Sequence, residues 1–213
     1  MTATLSQRAG TIFIVDDDTS VLKSMARFLR AAGYTVHAFE SAESFLEQHK
    51  PDISGCVVAD LQMPGMDGLK LQEALRKTTN PLPMIFLTGQ GDIPKSVSAM
   101  RSGAEDFLTK RAPKEELLAA IERALDRDVK ERQQRDRQRD LSHRFEELSE
   151  RELEVLGHVV QGKMNKEIAS DLNINERTVK LHRTSITRKL KVQSVVELTR
   201  LADETSLFKK GQA

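Results

Sequence analysis

Carboxylates follow two of the apolar runs in this sequence of 213 residues. Asp16, Asp17 and Asp18 come directly after TIFIV, and Asp60 ends the run GCVVAD. Two like charges about 4 Å apart repel by about 1 kcal/mol in water and by about 4 kcal/mol at an effective dielectric constant of 20. A hard divalent cation offsets this repulsion, because Mg²⁺ prefers oxygen ligands and binds one or two carboxylates directly. The residue types therefore predict a Mg²⁺ site, with Mn²⁺ as an alternative ion.

A hydroxyl group and an ammonium group follow two further apolar runs. Thr88 ends LPMIFLT, and Lys110 follows EDFLT. Both groups can contact phosphoryl oxygens, and the lysine can balance their negative charge. Together with the carboxylates, one of which can act as the nucleophile, they indicate a phosphoryl-transfer site.

Five short apolar runs alternate with helix-period segments in the first 125 residues. The runs are TIFIV, YTVHAF, GCVVAD, LPMIFLT and EDFLT. This alternation predicts an α/β fold in which helices cover both faces of a doubly wound, five-stranded parallel sheet. Ligands bind such sheets beyond the carboxyl ends of the strands. We therefore expect Asp16, Asp17 and Asp60 to meet at one edge, on neighbouring strands, with Thr88 and Lys110 beside them.

The remainder of the chain is typical of helices. Residues 126–140 are almost wholly polar and contain no Gly or Pro, which predicts a solvated helical connector. The expected organisation is a first domain of residues 1–125, a charged helical linker of residues 126–145 and a smaller all-α domain of residues 146–213. Predicted helix caps are Asp18, Asn165, Asn175, and the capping-box pairs Ser149 with Glu152 and Ser194 with Glu197.

A basic cluster lies in the second half of the chain. Residues 177–191 contain six Lys or Arg side chains and no acidic one. At helical spacing, Val179, Ile186 and Leu190 form an apolar face, and the basic residues project elsewhere. A helix of this kind fits the major groove of DNA, where flanking cations bind phosphates.

Composition excludes several other classes of protein. The net charge is +1, and no apolar run is long enough to span a bilayer. The first ten residues lack the pattern of a secretion signal, so we expect a cytoplasmic protein without a membrane partner. Cys56 is the single cysteine and is expected to fill space in the core.

Four motifs of the first domain resemble the receiver domain of two-component response regulators. They are IVDDD, VADLQMPGMDG, IFLTGQGD and DFLTK, within residues 10–125. The resemblance implies a flavodoxin-like fold and a site switched by a phosphoryl group. By that resemblance, Asp60 is the phosphoacceptor, and Lys110 contacts the phosphoryl group. The implied ligands of Mg²⁺ are Asp16, Asp17, Asp60 and the backbone carbonyl of Gln62. The implied switch residues are Thr88 and Phe107.

The residue after Lys110 departs from the receiver pattern. Receivers usually have proline there, whereas this chain has Arg111, and its proline comes later at Pro113. A cis bond without proline costs about 2.5–4 kcal/mol. Either the bond is trans and the turn is remodelled, or the turn is strained. Either arrangement could change the direction in which Lys110 points.

The second domain resembles the LuxR-type helix-turn-helix of NarL/FixJ-class response regulators. The motifs are LSERELEVL, NKEIASDL, TVKLHRTSI and the KL…S…EL pattern, over residues 146–205. The resemblance implies that a last helix starting near Ser194 pairs two such domains on DNA. The expected base-edge contacts are Lys180, Leu181 and Thr184, and the expected phosphate contacts are Arg177, Thr178, Arg183, Arg188 and Lys189.

The two resemblances together imply a transcription factor controlled by phosphorylation. A sensor histidine kinase is the expected phosphodonor, promoter half-sites in double-stranded DNA are the expected target, and RNA polymerase is a further expected partner. Phosphorylation would favour a homodimer. One alternative is a constitutive DNA-binding dimer with an unphosphorylated receiver. The other is a haloacid-dehalogenase-like phosphatase with Asp16 as nucleophile, although residues 111–125 lack the acidic pair that this family places after a further strand.

Overall fold

A five-stranded parallel sheet forms the centre of the first structural unit. The computed structural model describes residues 10–50, 53–89, 97 and 99–204. The strands are β1 (Thr11–Val15), β2 (Thr35–Phe39), β3 (Cys56–Asp60), β4 (Met84–Thr88) and β5 (Asp106–Thr109). They pair in the order β2-β1-β3-β4-β5, and every pair is parallel. The predicted α/β fold with a parallel sheet is confirmed.

Helices cover both faces of this sheet because alternate strand residues point to opposite sides. In β1, Ile12 and Ile14 face one core, and Phe13 and Val15 face the other. The helices are α1 (Thr19–Ala31), α2 (Ala42–Gln48), α3 (Gly68–Arg76) and α4 (Lys114–Glu146). Helices α1 and α4 pack on the first core, and α2 and α3 pack on the second.

The strand order brings the acidic segments together. Strand β1 pairs with β2 on one side and with β3 on the other, so the direction of winding reverses between β1 and β3. In this register Val15 lies opposite Ala59, and the next residues along are Asp16 and Asp60. The predicted neighbouring positions of these two carboxylates are confirmed.

Some predicted features lie outside the described residues. These are the two ends of the chain, residues 90–92 of the IFLTGQGD motif, and most of the helix predicted between β4 and β5, of which residues 97 and 99–101 are described as helical. In the described part of the chain, no helix is long and apolar enough to cross a membrane. Cys56 is fully buried, which fits its predicted place in the core, and burial raises the pKa of its thiol to about 12.

The chain divides into two compact units, with the boundary between Arg132 and Gln133. Residues 126–145 all lie within α4. The expectation that the start of this segment is solvated is wrong for Asp128, which is 2% exposed. Its carboxylate accepts the Gly55 N–H at 3.0 Å and the Arg132 Nε–H at 3.2 Å, so the helix packs on the first unit up to this point.

The second unit has a helical core in its described residues. Its helices are α5 (Glu150–Val160), α6 (Asn165–Asp171), α7 (Glu176–Leu190) and α8 (Val195–Glu204). Buried residues from α5 to α8, with Phe145 from the end of α4, form one apolar cluster. Helices α6 and α7 are joined by a short turn in which Asn173 has a φ angle of 52°.

Most of the predicted helix caps are present. Asp18 caps α1, Asn175 caps α7, and Ser149 with Glu152 forms a complete capping box at α5. Ser194 Oγ accepts the Glu197 N–H, but the Glu197 carboxylate accepts the N–H of Gln193 instead of that of Ser194. The prediction for Asn165 is wrong, because α6 begins at that residue and its cap is Met164, whose N–H donates to Glu167.

Candidate functional site

Three carboxylates meet at the carboxyl edge of the sheet. In Asp16, Asp17 and Asp60, one oxygen of each lies within 4.8 Å of the other two. Asp16 is 2% exposed and Asp60 is 8% exposed, whereas Asp17 is open to solvent. Three oxygen donors at this spacing suit a hard divalent cation, so the residues present fit Mg²⁺ or Mn²⁺.

Lys110 binds two of these carboxylates. Its Nζ lies 2.6 Å from Asp16 Oδ2 and 2.7 Å from Asp60 Oδ2. Burial alone would lower the pKa of Lys110, but the hydrogen bonds with Asp16 and Asp60 outweigh it and raise the pKa. Burial raises the pKa of Asp16, and the Lys110 ammonium opposes that rise only in part. The ammonium therefore stays charged at neutral pH and partly neutralises the acidic cluster.

Arg111 does not turn Lys110 away from the site. The described residues contain no cis peptide bond, so the Lys110–Arg111 bond is trans. The turn is closed by the Ala112 N–H, which donates to the Thr109 carbonyl at 2.9 Å. Of the two alternatives for this turn, the trans bond is the one found, and the Lys110 ammonium still reaches Asp60.

The remaining predicted receiver residues surround the cluster. Thr88 ends β4 and is 3% exposed, and its carbonyl accepts the Lys110 N–H at 2.7 Å. Phe107 is half-buried in β5, with its ring centroid 6.4 Å from that of Phe86. The Gln62 N–H donates to Asp60 Oδ1 at 3.2 Å, which orients the carboxylate. The switch roles of Thr88 and Phe107 stay predictions.

Two residues were missed in the sequence: Gly68, which lies against Asp60, and Glu43, which binds the loop that follows Asp60. A Cβ atom at Gly68 would lie 2.5 Å from the Asp60 carbonyl oxygen, so only glycine lets α3 begin this close to the end of β3. Glu43, in the first turn of α2, accepts the Met66 N–H at 2.9 Å. A glycine in the first turn of a predicted helix was an available signal for Gly68. No feature of the local sequence indicates that Glu43 binds the Met66 N–H.

A basic helix forms the second candidate site. The apolar face of α7 is as predicted, because Val179, Ile186 and Leu190 are fully buried. Leu181 is 65% exposed on the same helix, where no core contact explains an apolar side chain. The exposed residues among the predicted DNA contacts are Arg177, Lys180, Leu181, Thr184 and Arg188.

The other three predicted DNA contacts are half-buried and engaged within the unit. Arg183 Nη1 donates to Asn165 Oδ1 at 3.0 Å, and Thr178 Oγ1 donates to Asn175 Oδ1 at 2.9 Å. The contact of Lys189 is the most buried of the three, because the side chain of its partner Glu152 is only 6% exposed. The Lys189 Nζ lies 2.7 Å from a Glu152 oxygen. The geometry therefore favours a structural role for Lys189 over the predicted contact with DNA phosphate.

The carboxylate of Glu152 is the centre of this buried ion pair. It is 5% exposed and binds the Lys189 ammonium, which also donates to the Glu147 carbonyl at 2.9 Å. Burial alone would raise the pKa of Glu152. Hydrogen bonds from Lys189, Ser185 and Ser149 outweigh burial and lower the pKa to about 2. The pair joins the start of α5 to the end of α7.

Comparison with known proteins decides the family. Residues 12–122, more than half of the chain, match the family model of the response regulator receiver domain. The chain belongs to the response regulators. Residues 146–202 of this response regulator match the luxR family of bacterial regulatory proteins. The resemblances to a receiver domain and to a LuxR-type helix-turn-helix are thereby confirmed.

Relatives of this response regulator cover nearly its whole length. The response regulator protein TodT of Pseudomonas putida is 42% identical over 199 residues, which are 93% of this chain and 88% of TodT. The transcriptional regulatory protein FixJ of Rhizobium meliloti is 42% identical over 193 residues, 90% of this chain and 94% of FixJ. The solved structure of the response regulator StyR has 44% identity and a TM-score of 0.85, covering 92% of this chain and 98% of that one.

These matches establish the general function of the response regulator. It is a two-component regulator of transcription with a receiver domain and a LuxR-type DNA-binding domain. Its family is not one of catalytic enzymes, so the phosphatase alternative is set aside.

Proposed function

We propose that phosphorylation of Asp60 by a sensor histidine kinase switches DNA binding by this response regulator. The observation that carries the proposal is the meeting of Asp16, Asp17, Asp60 and the Lys110 ammonium at one edge of the sheet. This set provides a carboxylate nucleophile, oxygen ligands for a cation and a fixed positive charge. Phosphoryl transfer needs these three components and little further covalent chemistry from the protein.

Asp16, Asp17, Asp60 and the backbone carbonyl of Gln62 are the proposed ligands of Mg²⁺, with Mn²⁺ as the alternative. The ion, when bound, neutralises charge on the transferred phosphoryl oxygens. An oxygen of Asp60 forms the new O–P bond while the P–N bond to the kinase histidine breaks, and the histidine nitrogen keeps the electron pair. Lys110 binds a phosphoryl oxygen, and the Thr88 hydroxyl donates to another. In this proposal Phe107 repacks as Thr88 moves.

The proposed DNA surface is the exposed face of α7. Lys180 can donate to base edges, and the exposed methyl groups of Leu181 suit the methyl group of thymine. Thr184 Oγ1, which donates to the Lys180 carbonyl at 3.0 Å, can accept from a base edge. Arg177 and Arg188 are the proposed phosphate contacts, because both are exposed cations on the same helix. Arg183 and Thr178 are secondary candidates for phosphate contacts, and Lys189 is proposed to stabilise the unit through Glu152 instead.

We also propose domain bounds for the chain, supported by the contacts of Asp128 and Arg132. We place the end of the phosphoacceptor domain at Arg132 rather than at residue 125, because Asp128 and Arg132 bind the first unit. The linker then comprises residues 133–145, and the DNA-binding domain begins at residue 146. Phosphorylation is proposed to favour a homodimer that presents two α7 helices to paired promoter half-sites and engages RNA polymerase.

The Asp60→Asn variant tests the link between phosphorylation and dimerisation. We expect acetyl phosphate with Mg²⁺ to increase the dimer fraction of the wild type, measured by analytical ultracentrifugation, and to leave the variant unchanged. The amide keeps the shape of the side chain but is a poor nucleophile, so the fold should persist. Dimerisation of the variant at the wild-type level under acetyl phosphate would contradict the mechanism. A dimer present in both proteins without acetyl phosphate would favour the constitutive alternative.

A further inference from the structure

The loop between β3 and α3 carries a proposed ligand of the metal site. This loop spans residues 61–67 and includes Gln62, whose backbone carbonyl is the proposed ligand. Most of its hydrogen bonds are local: the Gln62 N–H donates to Asp60, and the Gly68 N–H donates to the Leu61 carbonyl at 3.1 Å. At its far end, Asp67 caps α3. At its start the loop is tied to β4, because the Leu61 N–H donates to the Leu87 carbonyl at 3.3 Å. The local bonds shape the rest of the loop but do not tie residues 62–66 to another element.

Glu43 supplies a bond from another element of the fold. Its Oε1 accepts the Met66 N–H at 2.9 Å, across 23 positions of sequence. A Cβ atom at Gly65 would lie 2.9 Å from the same oxygen, and Gly65 has a φ angle of +77°. The carboxylate therefore lies directly against the loop backbone at residues 65 and 66. Glycine at position 65 allows both the close approach and the left-handed backbone.

Helix α2 is a firm support for this carboxylate. Ser41 caps the helix by accepting the Ser44 N–H at 3.1 Å. Ala42 and Phe45, on either side of Glu43, are 0% and 1% exposed and belong to the core under that face of the sheet. The backbone of Glu43 is thus fixed by packing, and its side chain holds the loop at a fixed distance from α2 through the hydrogen bond with Met66.

We propose that Glu43 is a positioning residue for the metal site of the receiver. By holding Met66, it sets the position of the loop that carries the Gln62 carbonyl, without itself contacting the metal or the phosphoryl group. This role rests on the proposed function, because it assumes that Mg²⁺ binds beside Asp60. Residues that orient ligands from outside a metal site affect metal affinity about 10- to 100-fold when they are changed.

The loss of negative charge must be separated from the loss of the hydrogen bond. Glu43→Ala removes both. Glu43→Gln removes the charge but keeps an oxygen that can accept the Met66 N–H. Glu47→Ala removes a charge from the same helix, one turn further along, at an exposed position. A positioning role predicts that only the first variant is impaired.

Mg²⁺ titration of the full-length, metal-free proteins by calorimetry measures the effect. We expect the Kd for Mg²⁺ to rise about tenfold in Glu43→Ala and to stay within about twofold of wild type in Glu43→Gln and Glu47→Ala. In the absence of metal, the amides of residues 62–66 should exchange hydrogen faster in Glu43→Ala alone, whereas the thermal unfolding midpoint should stay unchanged.

Two results would overturn the role of Glu43 alone. One is an Mg²⁺ affinity in Glu43→Ala equal to that of the wild type, and the other is an equal loss in all three variants, which would indicate charge instead of position. Failure of the wild type to bind Mg²⁺ would instead overturn the proposed function together with the role of Glu43.

Discussion

Replacement of Lys110 by alanine is expected to slow phosphorylation of Asp60 by about 100-fold, comparable to the loss of one oxyanion-hole donor in an acyl-transfer enzyme. The Lys110 ammonium is within hydrogen-bonding distance of both Asp16 and Asp60, at 2.6 and 2.7 Å. Without it, the charge on the transferred phosphoryl oxygens loses a fixed counterion. The rate is measured by intact-mass spectrometry during incubation with acetyl phosphate at saturating Mg²⁺.

The same variant is expected to bind Mg²⁺ more tightly than the wild type. In the proposed site, the ammonium and the metal would compete for oxygens of Asp16 and Asp60. Removing a unit charge a few ångströms from the site should lower the Kd by about tenfold or more. The loss of Lys110 is therefore expected to slow phosphorylation and to tighten Mg²⁺ binding. A general disruption of the site would slow phosphorylation and weaken Mg²⁺ binding.

Lys114→Ala is the matched control for Lys110→Ala. Lys114 is exposed four residues further on, and its ammonium lies 5.0 Å above the ring of Phe28, away from the carboxylates. It carries the same charge, so its removal reports the effect of net charge alone. We expect both the rate and the Mg²⁺ affinity to stay close to wild type. Equal phosphorylation rates in Lys110→Ala and Lys114→Ala would contradict the role assigned to Lys110.

Replacement of Glu152 by alanine is expected to destabilise the helical unit by about 3–5 kcal/mol. The substitution leaves the partly buried Lys189 ammonium and the Ser149 N–H without the carboxylate that both bind. Hydrogen exchange of the α7 amides in the full-length chain measures the effect on this unit separately. Protection of these amides should fall by a factor of about 10² to 4 × 10³.

Glu154→Ala provides the comparison for Glu152→Ala. Glu154 lies on the same helix and pairs with Arg151 at 2.6 Å, but both side chains are well exposed. Exposed ion pairs contribute about 0–1 kcal/mol, so this change should have little effect. Similar losses of protection in the two variants would show that the Glu152–Lys189 pair has no special structural role.

Acid is expected to weaken the helical unit over a defined range of pH. Because the folded pKa of Glu152 lies below its ordinary value of 4.5, its contribution is fully present above that value. It is lost as the pH falls towards the folded pKa of about 2, and it amounts to about 3 kcal/mol. Hydrogen exchange of α7 at a series of pH values, corrected for the intrinsic rate, measures this loss. A Glu152→Gln variant should lack this component of the pH dependence.

The sheet and the acidic cluster could be predicted from the sequence because both follow from local patterns. The apolar runs give the strands, and the parallel order brings the residues after them to one edge. Asp16, Asp60 and Lys110 could therefore be assigned before any contact was known. The resemblance to receivers added the carbonyl of Gln62 and the switch positions, which periodicity alone does not indicate.

Other features depend on partners that are distant in the sequence. Lys189 belongs to a basic cluster by spacing, and only the packing of α5 against α7 shows that Glu152 binds it. Asp128 lies in a polar segment, and its burial follows from the approach of Gly55. In the sequence, Glu43 is an acidic residue in the first turn of a helix, a position where a negative charge stabilises the helix through its dipole. Its contact with Met66 becomes visible only in the folded chain.

Intact-mass spectrometry of the full-length chain after incubation with acetyl phosphate tests the central claim most directly. Wild type and Asp60→Asn are each compared with and without Mg²⁺. The proposed mechanism predicts the addition of one phosphoryl group to the wild type, only when Mg²⁺ is present, and no addition to the variant. Equal addition to both proteins, or addition to the wild type that does not depend on Mg²⁺, would contradict it.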